Sequence, residues 1–337
     1  MADKTRVVLI GGNSLLGREI RDIVARSAPE LDLRLVAGEQ EESGKLTQVG
    51  DEPAFVGGLN AERFEGARAV LLAGSEAAGR EAVKLADQES GVAIIDLTYA
   101  AEEDAGARLR APSVEAGPSE DEDEGTVHVI AHPAAIALAL FLRRLQEHDP
   151  IRRSVIQVFA PASEQGARGV EELQQQTVGL LSFKKLPKIV FDAQLSFNLL
   201  ARYGEEAPVS LEQTELRIER HLAALLALPG EGEGAPMPSL RVIQAPVFHG
   251  YTFSAWVEFD GNPGMEALES GLASDWIDVR GVEAEPPTNV GHAGQGGIAV
   301  GAIAEDGNNP DACWFWLVAD NLRLAAENAV AVARQLV

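Results

Sequence analysis

The first third of the chain alternates between short apolar runs and amphipathic segments. Residues 7–10, in RVVLIGG, form an apolar, largely β-branched run that suits a parallel strand covered on both faces. A glycine turn and an amphipathic segment follow it, and further strands are predicted at LDLRLVAG, ARAVLLAG and GVAIIDLT. A helix is predicted at EAAGREAVKLADQES, between the last two strands. Strands that alternate with helices predict an α/β fold with a Rossmann-like, doubly wound parallel sheet.

The pattern changes at Ile151. RRSVIQVFAP, SLRVIQAPVFHGYTFSAWVEF, IAVGAIAED and ACWFWLVAD are rich in β-branched and aromatic residues and predict strands, and the helical segments GARGVEELQQQTVGLL and LEQTELRIERHLAALLAL interrupt them. This pattern predicts an α+β domain built on a largely antiparallel sheet. We therefore expect a Rossmann-like domain of the dinucleotide-binding type at residues 1–135, completed by a C-terminal amphipathic helix at 320–337, and an α+β domain at 136–319.

The composition narrows the range of partners and compartments. The chain has 337 residues, with 28 Lys and Arg against 52 Asp and Glu, so its net charge is 28 − 52 = −24. Such a surface repels nucleic acid and anionic lipid, and we exclude both as main partners. A single cysteine excludes an intramolecular disulfide and favours a reducing compartment. The N-terminus has no signal-peptide pattern and no apolar run approaches the roughly 20 residues of a membrane span, so we expect a cytoplasmic protein.

The glycine turn GGNSLLG lies between the first predicted strand and its helix. In that context, glycines let the backbone approach a pyrophosphate at the helix N-terminus. Ser14 occupies the fourth position of the pattern, where its Cβ narrows the approach although its hydroxyl could donate to a phosphate. The turn marks the fold more strongly than it shows a bound dinucleotide. The candidate cofactor-binding residues are Gly11, Gly12, Asn13, Ser14, Leu15 and Gly17.

The turn after the second predicted strand bears on which dinucleotide could bind. A 2′-phosphate needs a cation there, but Glu39, Glu41 and Glu42 precede Lys45 in AGEQEESGK. NADP is therefore disfavoured electrostatically, and the expected cofactor is either weakly bound NAD or none. No metal site is predicted.

A second turn of interest lies in TVHVIAHPAAIALALFLRRL, residues 126–145. A strand stops there at a proline and becomes an apolar helix, which presents a side chain at the mouth of a cleft beside free helix N–H groups. Enzymes often place a nucleophile at such a position. This turn offers instead His132, Pro133, Ala134, Ala135 and Ile136.

The strand order, the glycine turn, the proline turn and the C-terminal helix together resemble the aspartate-semialdehyde dehydrogenase family over nearly the whole chain. VEEL, DNLRLAAENAV, SFNLLARYG and APVFHGYTFSAWVEF are similar to segments of that family. The resemblance implies that the α+β domain is a dimerisation domain of the semialdehyde-dehydrogenase type, with a homodimer formed through its sheet. It also implies thiol catalysis, in which a cysteine attacks an acyl phosphate or aldehyde and a dinucleotide exchanges hydride.

The positions at which that family carries its chemistry hold other residues here. Ala135 stands in the place of the nucleophilic cysteine, and Ala160 in the place of the glutamine that orients the substrate. Gln244 replaces an arginine that grips the substrate carboxylate, and Tyr251 replaces the catalytic histidine seven residues later. A phosphate-binding arginine aligns at or near Glu102. We interpret these replacements as loss of the thiol chemistry, because a methyl group cannot form a thioester.

Substitute residues leave a second interpretation open. His132 and His249 lie close in sequence to the replaced positions. A pair formed by His132 and Tyr251 could support non-covalent chemistry. In the other interpretation, these three side chains only occupy space in a cleft that has lost its function. Cys313 lies far away in sequence and is expected to be a packed core residue. The first hypothesis is a catalytically silent binding or scaffold protein whose small-molecule ligand is unknown. The alternative is an NAD(P)-dependent oxidoreductase of the semialdehyde dehydrogenase type that acts on a small aldehyde or oxo compound with altered residues.

Overall fold

The computed structural model describes residues 4–38, 43–86, 91–117, 127–229 and 234–336. The chain divides into two compact units. The first comprises Met1–Ala131 and Ala325–Val337, and the second comprises His132–Leu324. The acidic residues on which the expectation about NADP depends, Glu39, Glu41 and Glu42, lie outside the described residues.

The first unit contains a six-stranded sheet in which all neighbouring strands are parallel, in the order β2-β1-β5-β6-β8-β7. Its first strand is fully buried at residues 7–10, as a parallel sheet covered on both faces requires. The strands are β1 Thr5–Ile10, β2 Leu31–Val36, β5 Ala69–Leu72, β6 Ala93–Asp96, β7 Ala107–Arg110 and β8 Val127–Ile130. The helices are α1 Leu15–Ser27 and α2 Glu76–Ala86, and a separate hairpin is formed by β3 Leu46–Val49 and β4 Glu52–Phe55.

The second unit is built on a mixed six-stranded sheet in the order β10-β9-β11-β14-β13-β12. The central pairs are antiparallel, as expected, and the outer pairs β10–β9 and β12–β13 are parallel. Its strands are β9 Ile151–Ala160, β10 Ser239–Gln244, β11 Tyr251–Phe259, β12 Ile277–Val279, β13 Ile298–Glu305 and β14 Ala312–Ala319. Its helices are α3 Pro133–His148, α4 Gly166–Leu181, α5 Leu211–Leu226 and α6 Met265–Leu272. The last helix is α7 Asn321–Gln335, whose residues up to Leu324 are assigned to this unit and those from Ala325 to the first.

The predicted fold class is confirmed: a Rossmann-like parallel sheet is followed by an α+β unit with its own mixed sheet. The hairpin β3–β4, the strands β7 and β12 and the helix α6 were not predicted from the sequence. In the described part of the chain, no helix combines the length and the apolar character needed to cross a membrane.

Several of the candidate site residues lie together at one end of the strands of the second sheet. Strands β9 and β10 are parallel and end at the paired residues Ala160 and Gln244. Strand β11 runs antiparallel to β9, so its first residue, Tyr251, lies at the same edge. Positions that are distant in the sequence therefore meet there.

Candidate functional site

His132 forms the start of helix α3. Its ring Nδ1 accepts a hydrogen bond from the backbone N–H of Ala134 at 3.2 Å and so caps the helix. Because Nδ1 acts as the acceptor, a neutral ring carries its proton on Nε2. The backbone N–H of His132 donates to Nδ1 of His221 at 2.9 Å, which fixes the position of the turn. His132 is fully buried.

Glu164 is hydrogen-bonded to both His132 and Tyr251, the two residues that were expected from the sequence to form a pair. His132 Nε2 lies 2.9 Å from Glu164 Oε1, and the Tyr251 hydroxyl donates to Glu164 Oε2 at 2.8 Å. The rings of His132 and Tyr251 meet edge to face with their centroids 5.9 Å apart. The structure therefore contains a hydrogen-bonded His132–Glu164–Tyr251 chain rather than a direct His132–Tyr251 pair.

Glu164 was missed by the sequence analysis, although a signal was present. The resemblance to the aspartate-semialdehyde dehydrogenase family aligns Ser163, Glu164, Gln165 and Gly166 with a Ser-Gly-x-Gly segment of that family, and so implies glycine at position 164. Burial acts to raise the pKa of Glu164, but His132, the hydrogen bond from Tyr251 and the nearby Arg217 more than offset this and hold the pKa below its usual value. Glu164 is therefore a carboxylate at neutral pH.

Gln244 is a structural residue in this chain. It is fully buried, and its amide oxygen accepts a hydrogen bond from the Tyr203 hydroxyl at 2.6 Å. Its amide nitrogen donates to the carbonyl oxygens of Ala160 and Ala245 at 2.9 and 3.1 Å. Burial, followed by the charge of Glu164, raises the pKa of Tyr203, so its hydroxyl stays protonated as the donor. The amide of Gln244 thus binds the protein itself and does not face a ligand.

The remaining candidates are packed or lie outside the hydrogen-bonded chain. Ala135 in the first turn of α3 and Ala160 at the end of β9 are both fully buried. His249 is half-buried in the loop between β10 and β11; its carbonyl oxygen accepts from Asn289 Nδ2 at 3.4 Å, and its Nδ1 is buried without a hydrogen-bond partner among the described residues. Glu102 is half-buried in the loop after β6.

Cys313 offers no alternative nucleophile. It is fully buried in β14, as the sequence predicted, and burial together with the nearby Glu305 and Asp306 raises the pKa of its thiol to about 11. A protonated, enclosed thiol is unreactive. Among the described residues, no group of three or more His, Cys, Asp or Glu side chains is placed to hold a metal ion.

The glycine turn belongs to the first unit. Its glycines are required mainly because neighbouring backbone atoms leave no room for side chains there. Gly11 has φ 79°, and a side chain on it would overlap the backbone of Gly74; one on Gly17 would overlap the carbonyl of Gly11. The Ser14 hydroxyl accepts from Gly17 N–H at 2.9 Å and donates to the Ala73 carbonyl at 2.6 Å. In this structure the hydroxyl proton is therefore donated to the protein itself, and a role of Ser14 as a donor to phosphate stays a prediction.

The glycine turn nevertheless keeps the geometry of a pyrophosphate site. The first turn of α1, which is described in full, contains no acidic residue, so the positive end of its dipole is not neutralised there. Asn13 and Leu15 flank Ser14 and are half-buried, while Gly12 is buried against Leu35. The Ser14 N–H is already bonded to the Gly11 carbonyl oxygen at 2.9 Å, so the backbone N–H groups of Gly12, Asn13 and Leu15 are those that would hold a pyrophosphate at this helix N-terminus.

Comparisons with known proteins agree with this architecture. Residues 142–324, more than half of the chain, match the family model for the semialdehyde dehydrogenase dimerisation domain. The chain is 25% identical to an aspartate-semialdehyde dehydrogenase of Rickettsia bellii (strain RML369-C), with 100% of this chain and 99% of that protein covered. It is 27% identical to a USG-1 protein homolog of Pseudomonas aeruginosa at the same coverage.

Solved structures show the same likeness. The structure of a probable aspartate-semialdehyde dehydrogenase from Pseudomonas aeruginosa superposes with a TM-score of 0.83 at 27% identity, with 99% of this chain and 98% of that chain covered. An aspartate-semialdehyde dehydrogenase from Candida albicans, determined with NADP, shares the fold at a TM-score of 0.67 and 14% identity, with 99% and 98% covered. The resemblance inferred from the sequence is confirmed, and the chain belongs to the semialdehyde dehydrogenase family.

Proposed function

We propose that this member of the family has lost thiol-based catalysis and acts as a non-catalytic binding or scaffold protein. One observation carries the proposal: the Glu164 carboxylate lies between His132 and Tyr251, at the start of the helix that carries Ala135. The family's chemistry needs a thiol at that helix and space for an anionic substrate beside it. Here a methyl group and a half-buried carboxylate stand in their places.

The charge of Glu164 also argues against the inherited substrates. An acyl phosphate or a carboxylate that approached this part of the second unit would meet a like charge, which costs binding free energy. The amide of Gln244 cannot compensate, because it is hydrogen-bonded to Tyr203 and to two backbone carbonyls. Recognition of the family's substrates is therefore impaired independently of the missing nucleophile.

A second candidate function is an NAD-dependent oxidoreductase that acts on a small aldehyde or oxo compound with altered residues. The hydrogen-bonded His132–Glu164–Tyr251 chain favours it, because such a chain can hold and move a proton. Bound NAD would supply hydride exchange. Since Glu39, Glu41 and Glu42 in the sequence disfavour a 2′-phosphate, we propose weakly bound NAD or no dinucleotide, with NADP disfavoured.

We also propose that the chain forms a cytoplasmic homodimer through the sheet of its second unit. Strand β14 exposes Trp314 by 39% and β9 exposes Val155 by 39%, while Trp256 and Trp316 are half-buried. A sheet face with large apolar side chains gains stability when another surface covers it. The net charge of −24 supports the expectation that neither nucleic acid nor a membrane is the partner.

The proposal can be tested by assaying the purified protein with aspartate semialdehyde, inorganic phosphate and either NAD or NADP. We expect no formation of reduced dinucleotide above a blank, and we expect Ala135→Cys alone to remain inactive because Glu164 and Gln244 are unchanged. Ala137→Cys, in the same buried helix, is the matched control for an added thiol. Phosphate-dependent reduction of either dinucleotide by the natural protein would contradict the loss of catalysis. Tight NAD binding, measured by calorimetry, would instead favour the oxidoreductase.

A further inference from the structure

Two arginines lie side by side on helix α1 without a carboxylate partner. Arg18 and Arg21 are three positions apart, so their side chains are neighbours on one face of the helix. Among the described residues, no carboxylate forms an ion pair with either guanidinium group. Asp22, one turn after Arg18, is paired with Arg26 instead, at 3.0 Å. In a chain with 52 acidic and 28 basic side chains, two adjacent arginines without an acidic partner are unexpected.

Few hydrogen bonds hold the two guanidinium groups, and donors remain on both. Arg18 Nε donates to the carbonyl oxygen of Asn13, in the glycine turn, at 3.1 Å. Arg21 Nη1 donates to the Thr47 hydroxyl, on strand β3 of the hairpin, at 2.6 Å. Within the described part of the chain, the two Nη atoms of Arg18 and the Nη2 atom of Arg21 donate to no other group. A ligand beside the pair would therefore meet several N–H donors.

The arrangement of the two charges is electrostatically unfavourable. Burial, followed by the charge of Arg18, lowers the pKa of Arg21. The Nε atom of Arg21 is also buried and has no hydrogen-bond partner among the described residues. Removing a charge from water beside a like charge costs free energy, and an anion that contacts both groups would offset this cost.

A third cation lies on the hairpin, next to the pair. Lys45 directly precedes β3, and its backbone carbonyl accepts from the Val56 N–H, so the hairpin pairing extends to it. Side chains alternate between the two faces of a strand, so Lys45 and Thr47 share one face. Because Thr47 accepts the hydrogen bond from Arg21, this is the face that lies toward α1. Lys45 is exposed.

We propose that Arg18 and Arg21 form a binding site for a phosphate dianion, to which Lys45 adds positive charge. The planar guanidinium group can donate two parallel N–H bonds to phosphate oxygens. Two guanidinium groups match the two negative charges of a dianion, whereas a carboxylate would balance only one of them. The inference goes beyond the proposed function, because these residues belong to the first unit and take no part in the His132–Glu164–Tyr251 chain.

Two sources can supply such a dianion. One is free phosphate or a small phosphate monoester, and the other is the 2′-phosphate of a dinucleotide. The acidic residues Glu39, Glu41 and Glu42 of the sequence disfavour the second source. We therefore expect free phosphate to bind, and we expect the 2′-phosphate of NADP to bring no gain in affinity over NAD.

The test is calorimetric titration of the natural chain with inorganic phosphate at constant ionic strength. We expect saturable binding, and we expect Arg18→Gln to raise the dissociation constant at least ~10-fold, because it removes charge-assisted hydrogen bonds. Arg26→Gln is the matched control, since Arg26 lies on the same helix, is 71% exposed and is paired with Asp22; it should leave the constant unchanged. Arg18→Lys keeps the charge without the planar group and should have an intermediate effect.

Thermal unfolding separates phosphate binding from an effect on folding. Phosphate should raise the melting temperature of the natural chain and of Arg26→Gln, but not that of Arg18→Gln. Without phosphate, Arg18→Gln should melt at the same temperature as the natural chain or higher, because it removes one of two neighbouring like charges.

The possible outcomes are distinguishable. Phosphate binding, or a preference for NADP over NAD, that persists in Arg18→Gln would overturn the inference, and so would phosphate binding that Arg26→Gln weakens equally. A natural chain that binds no phosphate and shows no preference for NADP would also overturn it. A preference for NADP that Arg18→Gln abolishes would uphold the site and assign it to the 2′-phosphate. None of these results bears on the loss of thiol catalysis, which the dehydrogenase assay tests separately.

Discussion

Replacement of Glu164 by alanine tests whether the His132–Glu164–Tyr251 chain stabilises the fold. Glu164 accepts hydrogen bonds from the His132 ring and the Tyr251 hydroxyl, and both donors belong to fully buried residues. Glu164→Ala leaves both donors without this acceptor. The expected result is a lower free energy of unfolding, with no change in the elements of the fold.

The magnitude follows from the number of donors and from the position of the carboxylate. An unsatisfied buried polar group costs about 1–3 kcal/mol, so two donors give roughly 2–6 kcal/mol. The Glu164 side chain is 15% exposed, so water can enter the space it leaves and satisfy part of the loss. Removal of the carboxylate also removes the free-energy cost of taking its charge out of water. We therefore expect the free energy of unfolding to fall by an amount near the lower end of this range, about 2–3 kcal/mol.

The assay is urea denaturation at neutral pH, followed by tryptophan fluorescence at a fixed protein concentration so that any dimer contributes equally. Glu171→Ala is the control, because Glu171 is an exposed carboxylate on α4 that bonds to Gln175. Its effect should be within about 0.5 kcal/mol.

The pH dependence gives an independent check. The pKa of Glu164 is held below its usual value of 4.5, so its contribution is present above that value and is lost as the pH falls through the lowered pKa. The stability difference between the natural chain and the isosteric variant Glu164→Gln should therefore shrink as the medium becomes strongly acidic. A Glu164→Ala variant as stable as the control, or a difference between the natural chain and Glu164→Gln that does not change with pH, would refute the reasoning.

Three further predictions concern other parts of the chain. Cys313, whose pKa burial raises to about 11, should not react with thiol reagents in the native protein at mildly alkaline pH and should react on unfolding; rapid native modification would show that β14 is accessible. Tyr203→Phe should lower the free energy of unfolding by about 1–2 kcal/mol, because it leaves the Gln244 oxygen unsatisfied, and an unchanged denaturation midpoint would contradict the role given to that bond. If either dinucleotide binds, the affinity for NAD should be at least ~10-fold higher than that for NADP. Ser14→Gly should raise the affinity for NAD, measured by calorimetry, because it removes a Cβ while the Ser14 hydroxyl is bonded within the protein. An unchanged or lower affinity of the variant would show that Ser14 is a phosphate ligand.

Much of the fold could be predicted because its central elements carry strong patterns. β1 is apolar over four consecutive residues, and α4 begins and ends at the residues of the segment that was predicted as helical. The missed elements lack such patterns: β7 reads ARLR, and the β3–β4 hairpin exposes Leu46 and Phe55 and contains Pro53. Short polar strands at sheet edges cannot be distinguished from loops by periodicity alone.

The candidate site likewise has positions that could be located from the sequence and contacts that could not. Motif spacing located Ala135, Ala160 and Gln244, because the family's catalytic positions lie in recognisable segments. It could not show that Glu164 reaches Tyr251, 87 residues later, or that Tyr203 bonds to Gln244, 41 residues later. These contacts depend on how strands β9, β10 and β11 meet at one sheet edge, which no local pattern encodes.

The hydrogen bonds of Gln244 also limit which side chains this position can accept. An arginine at that position would place a full charge in a site with no exposure to solvent, and the Tyr203 hydroxyl would lose its acceptor. A Gln244→Arg substitution alone would therefore destabilise the chain. At this position, the stability of the fold and the recognition of an anion therefore require different side chains.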